Sequence, residues 1–247
     1  MPNWTTNVVS IKSMNKEILE ELKCRIASED TAVDFNNITP MPQELSIEAG
    51  GNDYNDLQAY CIANDLPMPT VMYEQFSKQN SITDMLHANM EHGRALYENI
   101  KAYQHLHWYD WCIDNWGVKW NTNGDETSVE IIEQDNGIYE LSLLFNTAWN
   151  APYAIFEDLS RMLPEKTFLI AESEYEEGFK ERYEYSQGMM INAYRLPVFI
   201  YGEDGNEYMS YEDVPDDVSV EEVEYGDEPI EEIEPFQFDR SMRKVIL

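Results

Sequence analysis

The side chains best equipped for chemistry fall within ten residues of this chain: His105, His107, Asp110, Cys112 and Asp114. Imidazole, carboxylate and thiolate are the usual ligands of zinc and related metals. On a helix, however, ligands to one ion must share a face, which requires spacings of three or four. His105 and His107 are two apart and point to different faces, and His87 and His92 are placed no better, so no metal site is expected. Paired carboxylates are equally uninformative, because a chain with 48 Asp and Glu contains many by number alone. A GxSxG nucleophile elbow is missing. Gly50-Gly51 lacks the lysine and flanking glycines of a phosphate loop, and no cofactor is expected. One aromatic constellation remains. Trp116, Lys119, Trp120 and Trp149, with Thr147, can converge on a ligand pocket. The competing reading makes these indoles hydrophobic ties of the core, with Lys119 neutralising nearby acids, since indoles bury large areas.

The elements that must position these residues centre on Trp108 to Trp120, a stretch holding four of the six tryptophans. Before it, Asn3 to Ser13 alternates as a strand, and Lys16 to Ala27 carries Ile18, Leu19, Leu22 and Ile26 at helical spacing behind Asn15 as N-cap. Thr39-Pro40 and Met41-Pro42 demand extended backbone. Gly50 to Asp53 reads as a turn and Asn55 to Ala63 as a short helix. Ser81-Ile82-Thr83-Asp84 reads as a capping box that opens one long helix, kinked near Gly93 and running into the tryptophans, with Gly117 as its C-terminal cap. After the cluster the period changes. Ser128 to Glu133 and Ile138 to Phe145 form a hairpin around Asp135-Asn136-Gly137. Ala151 to Leu163 is a helix with Pro152 in its first turn, Lys166 to Ser173 a strand, Glu174 to Gly178 a turn, and Phe179 to Arg195 one or two antiparallel strands. The order strand, helix, long insertion, strand, strand, helix, strand is that of an α+β fold with a ferredoxin-like split βαβ core and an antiparallel sheet. On this reading residues 1–202 form the ferredoxin-like domain with a helical insertion at about 43–116, docked on the sheet by the tryptophan stretch. Residues 203–247 form an acidic C-terminal extension.

Charge restricts the partners. Sixteen Lys and Arg give a formal net charge of -32, which repels free nucleic acid and anionic membrane and favours basic partners. From Glu203 to Asp239 there are 16 acids and no base, yet residues 1–202 still hold 32 acids against 13 bases. A run of this composition is usually solvated or disordered. Against disorder stand its interleaved Tyr208, Tyr211, Val220, Val223, Tyr225, Ile233, Phe236 and Phe238, apolar anchors among acids that could dock on a basic partner, and Arg240, Arg243 and Lys244 close the chain with a basic patch. Cys24, Cys61 and Cys112 are odd in number and far apart, as expected of reduced core thiols in a cytosolic setting. The N-terminus lacks the pattern of a signal peptide, and no stretch reaches the length of a membrane span. A soluble, cytoplasmic protein is expected.

Four motifs carry a resemblance. Met1-Pro2-Asn3-Trp4, Phe35-Asn36-Asn37-Ile38-Thr39-Pro40-Met41-Pro42, Trp116-Gly117-Val118-Lys119-Trp120-Asn121 and Thr147-Ala148-Trp149-Asn150-Ala151-Pro152 occur in this order. They resemble those of the YubB-type ferredoxin-like family of phage and conjugative-plasmid proteins over roughly residues 1–190. Departures occur at Thr5, where the family commonly has Cys, and at Val118, where it has Thr. The resemblance implies a mobile-element origin and an α+β fold, without catalytic residues to carry over.

Together these features point to a non-enzymatic phage or plasmid protein in the cytoplasm of a bacterial host. Its expected role is anti-defence: binding a basic host protein or nucleoprotein complex, such as a CRISPR effector, a restriction enzyme or a related nuclease, as a nucleic-acid mimic that does not itself bind nucleic acid. The expected contact acids are Glu221, Glu222, Glu224, Asp227, Glu228, Glu231, Glu232 and Glu234. The alternatives are an enzyme or small-ligand binder that uses Trp116, Lys119, Trp120 and Trp149, and a structural phage component.

Overall fold

The computed structural model describes residues 3–69, 87–176, 178–209, 211–215 and 217–238. In chain order its elements are β1 (Trp4–Ser13), α1 (Lys16–Ile26), α2 (Phe35–Ile38), α3 (Asp53–Ala63), α4 (Met90–Tyr103), α5 (Trp108–Trp116), β2 (Ser128–Glu133), β3 (Tyr139–Ala148), α6 (Tyr153–Arg161), β4 (Leu169–Tyr175), β5 (Phe179–Ser186), β6 (Met189–Leu196), β7 (Val198–Gly202), β8 (Glu207–Tyr208), β9 (Val220–Tyr225) and β10 (Glu231–Ile233). The chain is mixed α+β and divides into two compact units. One comprises Met1–Thr39 and Trp120–Phe238, and the other is built on Pro40–Lys119.

The first unit contains a seven-stranded antiparallel sheet in the order β10-β6-β5-β4-β1-β3-β2 and a small sheet in the order β8-β7-β9. The alternation in β1 does what its sequence dictates: Val9 and Ile11 are fully buried, while Val8 is exposed on the opposite face. Val9 lies opposite Leu143 of β3 and Ala171 of β4, so the buried face continues across the central strands. α6 covers that face with Phe156 against Tyr185 and Tyr153 against Tyr183, and α2 adds Phe35 against Phe145. α1 starts where Asn15 accepts a hydrogen bond from the Glu17 amide, and it packs against β1, β2 and β3. The β2–β3 hairpin turns at Asn136 and Gly137, both with positive φ, as the Asn-Gly pair requires.

Acidic residues after Gly202 are built into this unit. β9 pairs with β7, and β10 pairs with the edge of β6. Further on, the Phe236 ring packs edge-on against Tyr153, and the Phe238 amide donates to the buried Glu157 carboxylate at 2.7 Å. The described carboxylates of this run are exposed, while Val223, Tyr225 and Ile233 at strand positions and Phe236 against Tyr153 anchor its described backbone. The basic patch at Arg240, Arg243 and Lys244 lies outside the described residues.

In the second unit, α3 and α4 bury Leu57, Cys61, Leu96, Tyr97 and Ile100, joined by Leu106. The long kinked helix expected from Ser81 onward is corrected here; its capping box lies outside the described residues. α4 begins at Met90, where Asn89 caps the amides of Glu91 and His92, and it ends at Gln104, whose φ is +62°. A separate helix, α5, follows and is closed by Gly117 in the left-handed region. The apolar stripe continues through this break, so periodicity alone concealed it. Gly93 lies in the first turn of α4. A Cβ there would lie 2.1 Å from the Asp56 carbonyl oxygen, so the glycine permits close packing of α4 on α3.

Gly93→Ala is therefore expected to destabilise the second unit by about 1–3 kcal/mol through overpacking. Gly51→Ala, where nothing lies within 4 Å of the added methyl, serves as the control, with both compared by urea denaturation followed by tryptophan fluorescence.

Candidate functional site

All eight expected contact acids, Glu221, Glu222, Glu224, Asp227, Glu228, Glu231, Glu232 and Glu234, are exposed. Strand pairing arranges them. On the β8-β7-β9 sheet, Tyr201 lies opposite Glu207 on one side and Glu222 on the other, so the three share a face. Glu224 follows on the same face roughly 6.6 Å further along β9, and it accepts a hydrogen bond from the Tyr201 hydroxyl at 3.3 Å. The Tyr201 phenol is held above its usual range, first by partial desolvation and then by the carboxylates of Glu224, Glu207 and Glu222. Glu231 and Glu232 sit on β10 opposite Arg195 and Tyr194. Asp227 is held by Arg182, which donates to its carbonyl oxygen at 3.1 Å, faces its carboxylate at 3.7 Å and also pairs with Glu172.

The residues of the aromatic constellation fall in both units. Trp116 belongs to the 40–119 unit, where it is 3% exposed and packs edge-on against Trp111. Lys119 is in the same unit, with its ammonium 5.3 Å from the centre of the Tyr109 ring. Trp120 and Trp149 belong to the sheet unit and are 40% and 51% exposed. Trp149 has a φ of +75°, and its amide donates to the Asn3 carbonyl at 2.9 Å. Within the same motif, Thr147 donates to the Asn150 carbonyl at 2.7 Å and accepts from the buried Asn7, whose own oxygen is bonded by Ser173. These contacts give Thr147 and Asn150 the task of turning the chain from β3 towards α6.

The sequence reading missed a polar cleft of about 450 Å³ in the sheet unit. Asp30, Asp34, Asp125, Asn36, Asn121 and Asn123 line it. Its walls are fixed by Asn121, which accepts from the amides of Phe35 and Thr122 at 2.9 Å and donates to Asp34 at 2.8 Å. Thr31 and Thr122 are joined by their hydroxyls at 2.8 Å. Two of the quoted motifs thus meet through Asn121. The only signal for the cleft was the turn-forming cluster Asn121 to Asp125, which by itself reads as a loop. A lining of carboxylates and amides, with no Lys or Arg, suits hydrogen-bond donors and cations.

The 40–119 unit buries a titratable cluster. His92 lies between Asp53 and Asp56, His107 meets Asp53 at 3.1 Å, and His105 meets Asp114 at 3.2 Å. His105 and His107 lie in the link before α5 and not on a helix, so the three- or four-residue spacing of helical ligands does not govern them. Cys112 is buried, and desolvation pushes its thiol up to about 12. Among the described residues no group of three or more His, Cys, Asp or Glu is arranged to hold a metal ion, and none of their helices is long and apolar enough to cross a membrane. Comparison with known proteins adds no identity: no family model, no curated protein and no solved structure matches the chain.

Core and pocket roles for the tryptophans separate by stability. Trp116→Ala is expected to cost about 3–5 kcal/mol, as for other large buried side chains, while Trp149→Ala stays within about 1 kcal/mol. Chemical denaturation of the two variants measures both.

Proposed function

We propose that the chain is an acidic binding protein of a phage or conjugative plasmid, which acts by occupying the basic, nucleic-acid-binding surface of a host defence complex. The class of partner is a CRISPR effector, a restriction enzyme or a related nuclease in the bacterial cytoplasm, and the mode is binding without catalysis. The observation that carries this reading is the set of exposed carboxylates of Glu207, Glu222 and Glu224 around Tyr201, held at strand spacing on a paired sheet. Rows about 4.8 Å apart across strands and roughly 6.6 Å apart along them present negative charge at a density that basic grooves are built to accept. The cleft lined by Asp30, Asp34 and Asp125 adds a second acidic feature suited to a guanidinium or ammonium group. Partner-side cations would gain association rate and register from this complementarity.

A ferredoxin-like core of the YubB type belongs to the same proposal. Its support is the strand order β4-β1-β3-β2 within the larger sheet, with α1 between β1 and β2 in the chain and α6 between β3 and β4. That is the order in which a split βαβ arrangement interleaves its two halves.

Affinity capture from lysate of a phage- or plasmid-bearing host, eluted along a salt gradient, tests the proposal. The expected outcome is a basic, nucleic-acid-handling complex whose capture weakens steadily as salt screens the contact. Replacing Glu222, Glu224, Glu231 and Glu232 together by Gln keeps the strands and should slow association by about tenfold or more. The same change at Glu17, Glu20 and Glu21 of α1 should leave it nearly unchanged. Capture that ignores both salt and the strand acids would defeat the reading.

A further inference from the structure

Two histidines of the 40–119 unit have hydrogen-bond acceptors at both ring nitrogens. His92 Nδ1 lies 2.8 Å from Asp56 Oδ2, and its Nε2 lies 3.0 Å from the Glu48 carbonyl oxygen. His105 repeats the pattern in the other sense, with Nδ1 2.7 Å from the Tyr103 carbonyl oxygen and Nε2 3.2 Å from Asp114 Oδ2. A neutral imidazole offers one N–H and one lone pair. A carbonyl oxygen can only accept, so the nitrogen facing it carries hydrogen. An ionised carboxylate can also only accept, so the second nitrogen must carry hydrogen too. Placing that proton on the carboxyl oxygen instead leaves the total for the pair the same. In either arrangement each His–Asp pair holds one proton more than the same two groups hold in the unfolded chain above pH about 6.5.

We propose that the 40–119 unit is a proton-locked fold: one proton shared by His92 and Asp56 and another shared by His105 and Asp114 close it, and it loosens as pH rises above neutrality. The locked contacts join separate elements. Asp56 of α3 also accepts from the Asn89 amide at the start of α4 at 2.8 Å, so its pair with His92 ties α3 to the first turn of α4. Asp114 of α5 ties the link at His105 back to the end of α4 through the Tyr103 carbonyl.

The surrounding charges strengthen the lock. His92 Nε2 also faces Asp53 of α3 at 3.8 Å, and Asp53 meets His107 at 3.1 Å. His107 in turn faces Asp110 of α5 at 3.8 Å. Around His105 stand Asp114 and Asp110, while the Tyr103 hydroxyl is bonded to Glu44. Burial opposes the charge on both His92 and His105, but the carboxylates and carbonyls outweigh it and hold both imidazoles above their ordinary range. For a group raised in this way the stabilisation is complete below the unfolded value of about 6.5. It is lost as pH climbs through the folded value, at up to about tenfold in the opening equilibrium per pH unit and per proton.

Amide hydrogen exchange on the full chain between pH 6 and 9, corrected for intrinsic exchange, reads the lock directly. Protection in Asp53–Ala63 and Met90–Trp116 is expected to fall above neutrality by up to about tenfold per pH unit for each proton released, while protection in Trp4–Ser13 and Tyr139–Ala148 changes little. Asp56→Asn should flatten the decline in α3 and α4, and Asp114→Asn the decline in α5. A measurement on the unaltered chain covers the case in which a variant does not fold: calorimetric unfolding at pH 7.5 in buffers of different ionisation enthalpy should release protons, up to about two. Release of none, or protection that does not depend on pH in these helices, would overturn the proposal.

Discussion

Charge balance is the constraint to which the rest of the structure answers. With 48 acids against 16 Lys and Arg, most carboxylates cannot be paired with a permanent cation and must either face water or find another donor. Leaving a charge buried without compensation costs several kcal/mol, and every buried acid with described contacts meets donors. In the sheet unit they come from scarce cations and from hydroxyl and amide groups. Arg195 and the Tyr183 hydroxyl reach Glu181, the Phe238 amide with Arg161 serves Glu157, and Lys180 and Arg182 share the half-buried Glu172. The helical unit meets the same demand with histidine and backbone amides, as at Asp53, which accepts from the Gly50 amide beside His107, and at Asp56. Histidine supplies a cation only by taking up a proton, so a composition short of Lys and Arg leads directly to a pH-dependent fold.

The same excess of acid protects the sheets. A seven-stranded sheet has two edges, and each is an invitation to pair with another chain. β10 blunts one edge by its length of three residues, by Glu231 and Glu232, and by the neighbouring Pro229 and Pro235. β2 carries exposed Glu130 and Glu133 at the other edge. Mutual repulsion between molecules of charge -32 adds to this. Acidic residues at an edge therefore serve solubility regardless of any partner. The face of β9 is different, because Glu222 and Glu224 stand on a surface whose opposite side, through Val223 against Ile200, faces the interior.

Legibility in the sequence followed the range of the interaction. Local signals held: the Asn15 cap, the alternation in β1, the Asn136-Gly137 turn and the cap at Gly117 all depend on residues within a few positions of one another. Non-local features were hidden. Nothing within Val220 to Tyr225 announces β7 as its partner, because a run of acids reads as solvated until the pairing of Val223 with Ile200 is known. The break at Gln104 was invisible because the apolar stripe continues through it. The His–Asp pairs were passed over because spacing along one helix is the wrong test for Asp56 and His92, which lie 36 positions apart on different helices. Asn121 escaped for a similar reason: its partners Asp34 and Phe35 are brought to it by the fold.

Order in the acidic run bears on how it can bind. A disordered acidic tail would lose conformational freedom on meeting a basic surface, at a cost of order 2–5 kcal/mol out of the gross interaction. Here the ladder from β7 to β9 and the anchoring of Phe236 on Tyr153 have already fixed the backbone during folding. Mutual repulsion among the aligned carboxylates of Glu207, Glu222 and Glu224 is likewise borne by the folded chain, because strand pairing holds them on one face. A cation arriving at that face relieves repulsion as it forms contacts, and the relief is largest where the carboxylates are held closest. A rigid acidic sheet thus gains more from a matching basic groove than a flexible segment of equal charge. Its response to salt should be correspondingly steep, since both the attraction and the relieved repulsion are screened over the same distance.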